Sequence, residues 1–306
     1  MKHHQMIIGV MLGMFVLAQL IGLAVIHRYI DVEASAREGK VIFRGLKIAD
    51  LTLERPDVDE SSSFVYMMIG VLVGTLFLLL IIRWNIALLW KLWFFSAVFI
   101  CLSLAFGAFL DTYSAFVVGL VLAYAKVFRP NVIVQNLSEL FMYGGLAVIF
   151  VPIMNLYSAI GLLVLIALYD AYAVWKSKHM IELATFQSRQ KMFAGLFIPY
   201  ALKPHKAPDI PIHMHAKPLL KTPPKIKKGM IKNAVLGGGD VGFPLIFAGV
   251  VMKTYGQVIP ALIIVPCAAI ALGLLFAKGE KNKFYPAMPF LAAGCLVGLG
   301  LVTVIF

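Results

Sequence analysis

Asp170 and Asp240 are the residues of this 306-residue chain best suited to do chemistry, because each carboxyl falls inside a stretch apolar enough to lie in lipid. A carboxylate inside a membrane is costly to hold and marks a relay, an ion path or a catalytic site. Two such groups held close cannot both ionise cheaply, so the pair keeps one proton between them near neutral pH. The ionised member can then take a proton from water while the protonated member donates to a carbonyl, which is the acid–base division needed to hydrolyse an amide. Nothing in the residues assigns one role to either aspartate.

The neighbouring residues suit such a site. Gly237-Gly238-Gly239 directly before Asp240 removes three side chains, which lets another backbone come close and also weakens a helix. Pro244 has no N–H to donate to the carbonyl four residues earlier, so the Asp240 carbonyl loses its usual helical partner. In hydrocarbon such a carbonyl must find another donor or line a wet cavity. Tyr169 sets a phenol beside Asp170, where it either packs or hydrogen-bonds.

The elements that must position these groups are membrane helices. Apolar residues make up 61% of the chain, charged residues 14%, and the mean hydropathy is +0.91, which excludes an ordinary soluble domain. The reading is an all-α, polytopic membrane protein with nine transmembrane helices, over residues 6–26, 64–82, 92–110, 112–128, 138–154, 157–175, 233–252, 257–276 and 286–306. At 1.5 Å per helical residue, Asp170 lies about 9 Å before Lys176 and Asp240 about 12 Å after Lys232. The two helices run in opposite directions, so the acids arrive at nearly one level.

The chain divides into an N-terminal six-helix membrane region (1–176), a basic, Pro-rich cytoplasmic loop (177–232) and a C-terminal three-helix membrane region (233–306). Lys and Arg positions put the N-terminus in the cytoplasm and the C-terminus outside. Between Lys176 and Lys232, twelve Lys or Arg face only Glu182 and Asp209, so ten units of the net charge of +12 reside there. A basic run between two spans is suited to anionic lipid headgroups rather than to nucleic acid. Residues 181–200 read as an amphipathic surface helix, and residues 204–224, with six prolines, as an extended segment.

His213 and His215 have no scaffold to make a metal site, and no cofactor is expected. Cys101, Cys267 and Cys295 read as small core residues. Residues 31–63 suit a small outside hairpin, with short alternating pieces at 46–48 and 51–53. Asp111 and Glu139 read as interface residues at span ends.

Three motifs carry a resemblance. Tyr169-Asp170 in the sixth span, Gly237-Gly238-Gly239-Asp240 in the seventh and Pro286-Ala287-Met288-Pro289 opening the ninth resemble the YD, GxGD and PAL motifs of the presenilin and signal peptide peptidase family of GxGD intramembrane aspartyl proteases. The likeness spans nearly the whole chain and is greatest to microbial presenilin homologues. It departs where Met288 stands for the family's Leu, a swap of similar volume. The resemblance implies Asp170 and Asp240 as the catalytic pair, with Tyr169, Gly237, Gly238, Gly239, Pro286, Ala287, Met288 and Pro289 shaping the site or receiving substrate. It further implies endoproteolysis within transmembrane peptides or single-span protein substrates that unwind before cleavage, in the cell membrane of a microbe. No hydrophobic plug segment occurs in the long loop, so a single uncleaved chain without obligatory accessory subunits is expected.

Other readings of the same acids differ in what they predict. A proton-coupled secondary transporter or channel using Asp170 and Asp240 as an ion relay predicts flux without peptide products. A merely structural carboxyl pair is a costly way to specify packing. A leader-clipping GxGD peptidase leaves the third motif unexplained.

Overall fold

The computed structural model describes residues 2–55, 59–84, 87–175, 194–200, 232–278 and 285–306. In chain order these form α1 (Lys2–Arg28), a short α2 (Val32–Glu38), β1 (Leu46–Ile48), β2 (Leu51–Leu53), α3 (Ser63–Trp84), α4 (Ala87–Gly107), α5 (Thr112–Phe128) and α6 (Val132–Phe150). A 3₁₀ turn (Val151–Ile153) follows, then α7 (Leu156–Trp175), β3 (Gly195–Tyr200), β4 (Lys232–Gly237), α8 (Gly238–Tyr255), α9 (Val258–Lys278) and α10 (Met288–Ile305). Among the described residues, six helices are long and apolar enough to cross a membrane: α1, α4, α6, α7, α9 and α10. Two more, α3 and α5, supply shorter apolar stretches, Ser63–Phe77 and Thr112–Phe128.

Helix ends follow local chemistry. The carboxylate of Asp111 accepts the Ser114 N–H at 3.0 Å to start α5, and the Asn155 amide oxygen accepts the Ser158 N–H at 2.8 Å to start α7. Gly256, left-handed at φ 66°, ends α8.

The centre of the bundle is α8. From Val241 to Met252 nearly every residue except Phe243 is buried, as expected of a helix apolar on all sides. It is enclosed by α1, α6, α7, α9 and α10, and its neighbours Phe15, Leu23, Ile26 and Leu163 are almost fully buried. On the rim, α3 exposes Leu72, Val73 and Leu76, and α5 exposes Val117 and Val121, an apolar surface that lipid would cover. Close helix approach depends on glycine at Gly298 of α10, where a Cβ would come within 3.1 Å of the Ile264 backbone on α9.

Two expected helical stretches are strands. Residues 195–200, read as part of a surface helix, form β3, and residues 233–237, read as the opening of the seventh span, form β4 together with Lys232. The two pair antiparallel from Gly195↔Gly237 to Tyr200↔Lys232. A strand rises about 3.3 Å per residue against 1.5 Å in helix, so the separation of Asp240 from Lys232 is not the all-helical 12 Å. The ninth span also starts later, with helix from Met288. Residues 181–193 of the expected surface helix, the proline-rich 204–224, His213 and His215 lie outside the described residues.

Glu139 is not an interface residue. It is fully buried and paired with Lys126 of α5, itself 1% exposed. In the 31–63 segment a hairpin does form, with Leu46↔Leu53 and Ile48↔Leu51 in register.

Candidate active site

Asp240 is the third residue of α8, whose N-cap is Gly237 in extended geometry. From that position its carboxylate turns back toward the Gly237 N–H, the direction that an acid takes in a capping box. The glycines differ in what they do. A Cβ on Gly237 would sit 3.1 Å from the Asp240 Oδ2, and one on Gly238 would sit 3.1 Å from the Tyr143 hydroxyl and 3.3 Å from the Ala194 carbonyl. Gly239 meets only Phe243, at ordinary contact distance, and is exposed. The first two therefore fit the site together, and the third leaves it open beside the acid.

Asp170 sits five residues before the end of α7 and is half-buried, as is Tyr169 beside it. Its Oδ2 accepts the Met288 N–H at 3.1 Å, and the Ala287 N–H lies near the same carboxylate. These are unpaired donors at the start of α10, which suit a carboxylate for the same reason that helix N-termini bind anions. Pro289 follows in the first turn, where a missing N–H leaves no gap in the helix. The third motif thus acts on Asp170 through its backbone. A Met in place of Leu leaves that contact intact, while its side chain, 3% exposed, packs inward with the buried Pro286.

The two carboxyls lie within electrostatic reach of one another, so Asp170, Asp240, the Gly237–Gly239 run and the Ala287-Met288 backbone form one cluster. Beside it, an apolar cavity of about 630 Å³ opens between α3, α4, α6 and α8, lined by Gly70, Gly74, Trp93, Phe150, Phe243 and Ile246 among others. Phe243 lies three residues after Asp240, so the cavity reaches the neighbourhood of the acid.

Two contributors are absent from the sequence reading. The Gln19 side chain, 1% exposed in α1, donates through Nε2 to the Val241 carbonyl at 2.8 Å. Its signal was available, since Gln19 is the one polar side chain in the apolar run 6–26. The other is Tyr143, 3% exposed on α6, with its hydroxyl against Gly238 and in electrostatic reach of Asp240. Gln19→Leu is expected to lower stability by about 0.5–1.5 kcal/mol, the net worth of one hydrogen bond, since the Val241 carbonyl keeps its helical donor. It should also reduce kcat more than it raises KM, because the carbonyl it holds belongs to the residue after Asp240. Unchanged melting and kinetics would show that this bond holds nothing.

Comparisons with known proteins bear on the family and the fold. The family model for signal-peptide peptidase, presenilin aspartyl protease matches residues 40–306. Among solved structures, a presenilin family intramembrane aspartate protease in the C222 space group aligns over 98% of this chain and 99% of its own, at TM-score 0.61 and 18% identity. A presenilin family intramembrane aspartate protease in the P2 space group aligns over 97% of both chains at TM-score 0.60 and 19% identity. A comparison with curated protein sequences gave no match. The helical bundle is therefore presenilin-like, and the chain belongs to the signal-peptide peptidase, presenilin aspartyl protease family.

Proposed function

We propose that the chain is an intramembrane endopeptidase that hydrolyses peptide bonds within the transmembrane segments of single-span substrates, with Asp170 and Asp240 as its catalytic dyad. The observation that carries this reading is the convergence of two carboxyls from different helices, one held by the N-cap of α8 and the other by the N-terminus of α10. The ionised carboxyl takes a proton from water as its oxygen attacks the scissile carbonyl carbon. The protonated carboxyl donates to the carbonyl oxygen. The tetrahedral intermediate then collapses, the C–N bond breaks, and the leaving nitrogen receives a proton from the pair. Tyr169, Gly239 and the Pro286–Pro289 segment shape the space in which this happens.

A peptide bond inside a helix is shielded by its own hydrogen bonds, so the substrate must be extended where it is cut. The β3–β4 ribbon has two strands and no third among the described residues, and β4 runs directly into the glycines before Asp240. Its far edge suits an unwound peptide held by backbone hydrogen bonds, while the apolar cavity against α3 suits side chains from the part of the substrate that stays helical. In this reading nine helices cross the membrane, the N-terminus is cytoplasmic, the C-terminus is outside, and the basic charge of the loop 177–232, between the six-helix region 1–176 and the three-helix region 233–306, suits the anionic lipid headgroups of a microbial cell membrane.

Purified full-length chain, reconstituted alone with a fluorescent single-span peptide, should release fragments without any other protein. Cleavage that appears only with added subunits, or only after the 177–232 loop is cut, would overturn the single-chain part of this proposal.

A further inference from the structure

The ribbon that leads into Asp240 has an unusual problem of alignment. Thirty-one residues separate β3 from β4, so no tight turn sets their register. A two-stranded ribbon is marginal by itself and its register is weakly specified. Something outside the ribbon must pin it.

The side chains that do so stand on one face of α6. The amide of Asn136 takes both backbone groups of one strand residue. Its Nδ2 donates to the Phe197 carbonyl at 2.7 Å, and its Oδ1 accepts the Phe197 N–H at 2.8 Å. That double contact is the one a neighbouring strand would make. Gln135 Nε2 donates to the Gly195 carbonyl at 3.0 Å, two residues away on the same edge, and to Glu139 Oε1 at 2.9 Å. Glu139 is tied in turn to Lys126 of α5 in the buried ion pair. One helical turn further, Tyr143 touches Gly238 at the other end of the ribbon.

Backbone alternation turns these contacts into a statement about β4. If Gly195 and Phe197 face α6, their pairs with Gly237 and Val235 are the non-hydrogen-bonded ones of the antiparallel ladder. Val235 and Gly237 then direct their N–H and C=O groups to the far edge of β4. Two features fit this parity: the Asp240 carboxylate lies beside Gly237 outside the ribbon, and Pro199, which has no N–H to give, falls on the same outward set as Gly195 and Phe197.

We infer that Asn136, supported by Gln135, is a positioning residue that occupies the α6 side of β3 as a surrogate strand, pinning the ribbon so that only the Val235 edge of β4 is presented to an extended substrate. This rests on the protease reading above and adds to it the element that sets where the peptide lies relative to the dyad. Without the pin, β3 frays or slips against β4, and the substrate loses a fixed frame.

The test uses full-length Asn136→Leu and Asn136→Asp in liposomes with a single-span substrate, reading kcat, KM and the cleaved bonds by mass spectrometry. Asn136→Leu should raise KM about tenfold with a smaller change in kcat, the scale of losing two backbone-directed hydrogen bonds, and should spread cleavage over neighbouring bonds. Asn136→Asp keeps the acceptor for the Phe197 N–H and should fall between it and the wild type. A disulfide between Phe197→Cys and Val235→Cys, a non-hydrogen-bonded pair whose spacing suits one, should restore a single cleavage site in the Asn136→Leu background. Amide exchange at Phe197 should speed up in Asn136→Leu and slow again in the cross-linked form. An Asn136→Leu protein that cuts the same single bond with KM within twofold of wild type overturns this inference and leaves the protease reading standing. A wild-type protein that cuts nothing overturns the protease reading itself.

Discussion

Asp170→Asn and Asp240→Asn should each lower kcat/KM by on the order of 10⁴, the upper range for losing a positioned acid or base. The reaction needs one carboxyl ionised and the other protonated, and an amide can be neither. The two losses should not add, since either change removes the whole shuttle, so the double variant should be no slower than the single ones. Folding should survive, because the Asn side-chain oxygen can still accept the Met288 N–H that Asp170 Oδ2 now holds at 3.1 Å. Asp170→Ala differs in a useful way. It should be equally inactive and also melt earlier, since the donors at the start of α10 lose their acceptor. Steady-state cleavage assays beside thermal melts separate the two effects, and appreciable cleavage by either Asn variant would refute the dyad.

The largest effect on stability is expected at Lys126 and Glu139, which bond to each other while 1% and 0% exposed. Lys126→Met should destabilise the protein by about 3–5 kcal/mol, because it leaves a buried carboxylate with no counter-charge. Glu139→Leu should do the same by stranding the ammonium, and it also removes the acceptor for Gln135. Replacing both together should recover most of the loss, since a buried ion pair exchanged for apolar side chains is often neutral or stabilising. Thermal melts of the two single variants and the double variant in one detergent measure this coupling. A double variant as unstable as the sum of the singles would mean that the pair is not the relevant interaction. The double variant should still cleave less well than the wild type, because Gln135 loses one of the contacts that hold it against β3.

How much of this could be read from residue types alone depends on where the information sits. Each of the nine apolar stretches overlaps a helix, since hydrophobic length is written directly in composition, but the seventh opens as a strand, and among the described residues six helices satisfy the requirements for a crossing. Asp170 and Asp240 stand out because a carboxyl among apolar residues has no bland explanation. The run Asn233-Ala234-Val235-Leu236 is different. A short apolar piece fits a strand or the end of a helix equally well, and only its partner β3, far away in sequence, decides for the strand. Glu139 is a similar case, since its partner Lys126 lies thirteen residues away on another helix. The contact between Met288 and Asp170 leaves no trace in side-chain identity, because the backbone makes it. Family likeness could mark Pro286-Ala287-Met288-Pro289 as relevant to the site, but not say that its first helical N–H groups hold a carboxylate.

Fragment mapping tests the central claim most directly. Wild-type protein and a single-span substrate, sealed together in liposomes, should yield two complementary fragments by mass spectrometry, with new ends inside the hydrophobic span and a combined mass exceeding the substrate by one water. Intact substrate, together with a proton or solute flux that depends on Asp170 and Asp240, would contradict hydrolysis and assign the carboxyl pair to transport.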